Sequence, residues 1–175
     1  MSQSTSSSTA LPIAHLVLRI LIVLNWVMAA AILALLFAVP TREWIMSSLD
    51  LLPSPEADRV VLGFRAIAVL GLAAIPFNYA VLKRLLAIVD TVREGDPFVA
   101  ANASRLQVIA WSGFVVQLLS MVIGAIGKAI STPAHPVQLD AGFSINGWLA
   151  VLLTFLLARV FAEGTRMRDD LEGVL

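Results

Sequence analysis

Residues 59–98 read RVVLGFRAIAVLGLAAIPFNYAVLKRLLAIVDTVREGDPF, and the fold turns on where this stretch stops being membrane. From Arg59 to about Leu82 it is almost wholly apolar. A hydrocarbon core about 30 Å thick needs about 20 helical residues, so this run predicts one complete crossing. Charges enter after Leu82, yet the helical period continues. Leu82, Leu85, Leu86, Val89 and Val92 recur at helix spacing, and Lys83, Arg84, Asp90, Arg93 and Glu94 occupy the other face. The helix is therefore expected to run on past the bilayer. Gly95 supplies a C-terminal cap, and Asp96-Pro97 reads as the N-cap and first-turn pair of the next helix. That helix carries Phe98, Asn102, Arg105 and Leu106 back to the membrane. Residues 83–105 thus predict a helical hairpin standing off the bilayer.

Three further runs, about 15–38, 106–130 and 143–161, have the length and apolarity of spans. Backbone groups cannot stay unpaired in lipid, so all the spans are helices. The fold class is all-α, an integral membrane four-helix bundle with cytoplasmic helical extensions. Composition agrees: 59% of residues are hydrophobic and 14% charged, against about 45–50% and about 25% in soluble domains. Residues 1–10 are Ser/Thr-rich and uncharged and predict a disordered tail ahead of a single domain over 11–175. The apolar run behind that tail is too long for a signal peptide and reads as a retained span. Between the first two spans, Thr41 to Leu52 predicts a short interfacial helix anchored by Trp44 and ended by Pro53 and Pro55. Ser131 to Ala141, with Pro133 and Pro136, predicts a short turn region.

Orientation follows from the basic residues flanking the spans. Lys83, Arg84, Arg93, Arg105, Arg159, Arg166 and Arg168 lie on one side. Arg42, Arg59 and Lys128 lie on the other, amid Glu43, Asp50, Glu56, Asp58 and Asp140. The first side is expected to be cytoplasmic. Four spans then place both termini there, in a bacterial inner membrane.

Several function classes lose their material. The chain has no cysteine and two histidines, His15 and His135, so no metal or cofactor site is expected. Zero formal net charge gives no basic field for direct nucleic-acid binding. No Asp or Glu falls at mid-span, which weakens a proton-coupled transporter. Arg19 and Arg65 do lie inside apolar runs, where snorkelling toward the nearer interface is the simplest reading and a substrate contact the alternative. Asn25, Asn78, Gln117 and Asn146 are expected to hydrogen-bond between helices. These polar residues motivate one alternative function, a small transporter or channel built as a homo-oligomer. No catalytic constellation suggests an enzyme.

The fourth span also continues beyond its lipid boundary. Phe161, Gly164, Met167 or Arg168, and Leu171 form a stripe, and Arg159, Glu163, Arg166, Asp170 and Glu172 provide helix-spaced charge pairs. Gly95-Asp96-Pro97-Phe98 followed by Asn102 and Leu106, with Phe161-x-x-Gly164 and Arg168-Asp-Asp170-Leu171-Glu-Gly-Val174 later, resembles a bacterial domain-of-unknown-function family of small four-helix inner-membrane proteins. With the span pattern, the resemblance covers nearly the whole chain. Members of that family are commonly encoded beside a very small Cro/repressor-type helix-turn-helix protein. The resemblance implies a membrane partner that binds or restrains such a regulator. Asp96, Pro97, Phe98, Asn102, Phe161, Arg168, Asp170 and Leu171 are then the candidate partner-binding residues.

Overall fold

A computed structural model describes residues 7–38, 55–131 and 139–172. Four helices follow one another: α1 (Ser7–Ala38), α2 (Pro55–Arg93), α3 (Ala100–Ile130) and α4 (Ile145–Glu172). Each is long and apolar enough to cross a membrane. The all-α expectation holds, and this is a multi-pass membrane protein. At 1.5 Å per residue α2 measures roughly 58 Å, about twice the hydrocarbon thickness, so it projects well beyond the bilayer.

The helices pack in chain order. Among the described residues α1 packs on α2, α2 on α3 and α3 on α4, while α1 does not close a ring onto α4. The inward stripe of α1 is Leu18, Ile22, Asn25, Ala29 and Ile32, and among the described side chains of this helix Ala29 alone is buried. Ile20, Val23, Val27 and Met28 on its outer faces are each more than half exposed, a surface that suits lipid rather than water. Asn25 Nδ2 reaches the Ile75 carbonyl at 3.4 Å, so this amide bridges helices as expected, just before Pro76. His15 lies 3.4 Å from Asp90, and Trp26 meets Tyr79 at 5.6 Å between centroids. The N-terminal half of α1 therefore runs beside the hairpin end of α2.

Three expected boundaries change. Helix α1 begins at Ser7, so residues 7–10 are helical rather than part of a disordered tail. Helix α3 begins at Ala100 with Val99 as its N-cap, and Asp96-Pro97 does not start it. Nor does one face of residues 82–92 alone turn inward. All of Arg84 to Val92 is half-buried, because α1 flanks one side and α3 the other. Val81, Leu85 and Ile88 meet the core of Leu106, Ile109 and Ala158. The Thr41–Leu52 helix, most of the Ser131–Ala141 turn and residues 173–175 lie outside the described residues.

Candidate functional site: the hairpin end

The hairpin closes by a backbone device that needs glycine. The Asp96 N–H donates to the Thr91 carbonyl at 3.1 Å and the Gly95 N–H to the Val92 carbonyl at 3.2 Å. This six-to-one, five-to-two pair is a Schellman cap, and Gly95 takes the positive φ of 89° that it demands. The cap was legible from Gly95. What holds the returning strand of chain was not.

That role falls to Asn102, which is 0% exposed and, among the described residues, the largest fully buried side chain. Its Nδ2 donates to Thr91 Oγ1 and to the Pro97 carbonyl, both at 2.8 Å. Its Oδ1 accepts from Arg105 Nη1 at 2.7 Å, and the same nitrogen donates to the Ala87 carbonyl at 3.1 Å. The Thr91 hydroxyl in turn donates to the Ile88 carbonyl at 2.8 Å. Both donor hydrogens of the asparagine amide and its carbonyl oxygen are in use, three of the four hydrogen bonds the side chain can make. A buried polar knot of this kind fixes the loop geometry, because a loop path that breaks it leaves buried groups unmet.

Helix α4 is tied to the hairpin beside the knot. Phe98 stacks on Phe161 with centroids 5.3 Å apart and an interplanar angle of 27°. Gly164 leaves room for the Phe98 ring, which a Cβ there would meet at 3.9 Å. Arg168 reaches Asp96 at 2.7 Å. Thr165 is buried, its hydroxyl donating back to the Phe161 and Ala162 carbonyls at 3.0 Å. The inward stripe is thus Ala158, Phe161 and Thr165, and Met167 turns outward, 61% exposed. Thr165 was missed because a hydroxyl in a helix reads as polar, although it can satisfy itself on the preceding turn. Asp170 and Leu171 lie on α4, but their side chains are outside the described residues.

These contacts join the two stretches that carried the family resemblance into one unit. Residues 39–175 match the family model described as Protein of unknown function (DUF2975). The chain belongs to that family. No curated protein and no solved structure matches it.

The DUF2975 match takes in α2, α3 and α4 and ends short of α1. The candidate partner-binding residues divide within this DUF2975 protein. Pro97, Asn102 and Phe161 are spent on internal contacts, while Asp96, Phe98 and Arg168 make internal contacts and still present about half their surface to the outside. The intramembrane candidates do not converge. Arg19 and Arg65 are exposed on α1 and α2, and Asn78 is half-buried on α2. Gln117 on α3 presses against the backbone of Gly147 on α4. Its Oε1 and the indole Nε1 of Trp148 are buried with no hydrogen-bond partner. Around them Trp111, Phe114, Phe155 and Trp148 stack edge to face at 5.3–5.8 Å.

Proposed function

We propose that this DUF2975 protein is a non-enzymatic membrane regulator whose hairpin end holds a small helix-turn-helix DNA-binding protein at the bilayer. The observation that carries the reading is Phe98. It is anchored on Phe161 and over Gly164, yet remains 51% exposed at the hairpin end. Met167, one turn past Gly164, adds a second exposed apolar group. Large apolar side chains held on a rigid polar platform are the anchors a protein partner buries. The resemblance to a family whose genes neighbour small helix-turn-helix regulators supplies the partner class. The basic flanks of the spans orient this end, and both termini, toward the cytoplasm of a bacterial inner membrane.

Capture from detergent extracts tests the reading. A tagged helix-turn-helix protein encoded beside this chain should co-purify with the wild-type protein. Met167→Ser, at a side chain that is 61% exposed, should reduce capture several-fold, and Phe98→Ser should reduce it further. Absence of capture, or equal capture by all three proteins, rejects the proposal.

The unpartnered Gln117 Oε1 and Trp148 Nε1 support a second reading, a small oligomeric transporter or channel. Solute or ion flux in vesicles that Gln117→Leu abolishes would favour it over the first.

A further inference from the structure

Arg19 and Lys83 belong to neighbouring, packed helices, and both are exposed. Arg19, Val23 and Trp26 fall at i, i+4 and i+7, on one side of α1. Trp26 touches Tyr79 of α2, and the Lys83 ammonium sits over the Tyr79 ring at 5.8 Å from its centroid. In an antiparallel pair, facing residues have a constant sum. His15 with Asp90 and Trp26 with Tyr79 both give 105. Lys83 is therefore level with Ile22, and Arg19 lies less than one turn nearer the hairpin. Both cations are exposed, and neither forms an ion pair among the described residues.

Below Arg19 the surface changes character at once. A shallow, open groove on the surface of α1 alone, lined by Arg19, Ile20, Val23, Leu24 and Val27, is apolar along its remaining length. The long side chain of Arg19 leans toward the helix N-terminus, which carries its guanidinium toward the membrane surface. Two cations at that level, a Trp and a Tyr beneath them, and an apolar groove leading inward reproduce the profile of a phospholipid: anionic phosphate, interfacial glycerol, acyl chain.

We infer that Arg19 and Lys83 form a binding site for the headgroup of an anionic phospholipid, with Trp26 and Tyr79 under its glycerol and one acyl chain in the Ile20–Val27 groove. Free phosphate is not the occupant, because the groove gives it nothing to bury. The site belongs to the α1–α2 pair and is separate from the platform built by Phe98 and Phe161.

Native mass spectrometry of the detergent-solubilised full chain, titrated with phosphatidylglycerol or phosphatidylcholine of equal chain length, tests the inference. Phosphatidylglycerol should be retained preferentially. Loss of either cation should weaken that preference about fivefold, and loss of both roughly thirtyfold. Arg166→Gln, which removes an exposed charge from α4, should leave it unchanged. Excess inorganic phosphate should not displace the lipid. Equal retention of the two lipids by the wild-type protein overturns the inference, and so does an Arg19→Gln/Lys83→Gln variant that melts like wild type and keeps the preference. Displacement by phosphate overturns it in favour of a simple anion site.

Discussion

Asn102 Nδ2 donates to Thr91 Oγ1 at 2.8 Å across the hairpin, joining the last turn of α2 to the first turn of α3. Since the same amide also serves Pro97 and Arg105, its removal strands several partners at once. Asn102→Ala should destabilise the protein by about 3 kcal/mol, the scale expected when buried polar groups lose their partners together. Asn102→Asp retains the acceptor for Arg105 but loses both donors, so it should fall between Ala and wild type. Melting in detergent, with trypsin cleavage at Arg93 and Arg105 as a local readout, distinguishes the three. A loss below about 0.5 kcal/mol for Asn102→Ala would mean that the network does not hold the loop.

Gly95 offers a backbone counterpart with a different mechanism. A Cβ at this position meets nothing within 4 Å, so space is not the constraint. The positive φ is. Gly95→Ala should cost about 1 kcal/mol, and Gly95→Asn less, because asparagine tolerates the left-handed region better than alanine does. If alanine and asparagine melt alike, the Schellman turn is not what sets the cost.

Local chemistry accounts for what was readable in advance. Span number, the continuous Arg59–Arg93 helix and the Gly95 cap each follow from a window of residues acting on its own neighbours. Asp96 shows where such reading fails. Its place before Pro97 fits an N-cap, but its carboxylate is taken by Arg168, 72 positions away, and α3 starts four residues later. Asn102 likewise had a family motif to mark it and no local signal for its role, since its partners are set by how two helices meet. The α4 stripe stays open between Met167 and Arg168 in the sequence, because a 3.6-residue period leaves one position of freedom over two turns. Only the docking of Phe161 on Phe98 fixes the helix rotation.

The Phe98–Phe161 stack makes a quantitative claim about how the platform is held. In a double-mutant cycle with leucine at each position, the coupling should be about 0.5–1.5 kcal/mol, the usual range for aromatic pairs beyond their buried area. Gly164→Val should weaken the stack, because a Cβ there already reaches the Phe98 ring at 3.9 Å and the two added methyls crowd it. A coupling near zero would show that the two rings touch without supporting one another.

Asp96–Arg168 is short but half exposed on both sides. Solvent and salt should screen it, so Asp96→Asn should cost less than about 1 kcal/mol and the loss should shrink further in high salt. Comparison with Asn102→Ala in the same melt ranks the two contacts. A larger loss for Asp96→Asn would reverse the ranking argued from burial.

Gly71 and Gly124 test which of two opposed effects wins when a helical glycine becomes alanine. At Gly71 of α2 a Cβ would meet only Ile32 Cδ1 at 3.7 Å, an ordinary contact with a flexible side chain. At Gly124 of α3 it would meet the Ala141 carbonyl oxygen at 2.6 Å and Gly142 Cα at 2.7 Å, both backbone. That segment is also pinned to α3 by the Gly142 N–H donating to Ser120 Oγ at 3.1 Å, so it cannot yield without losing a hydrogen bond. Helix propensity favours alanine by about 1 kcal/mol at either site. Gly71→Ala should therefore be neutral or slightly stabilising. At Gly124 the overpacking cost of about 1–3 kcal/mol should exceed the propensity gain, giving a net loss. Thermal melts of the two variants in one detergent decide it, and equal shifts would remove the close approach of residues 141–142 to α3 as a structural constraint.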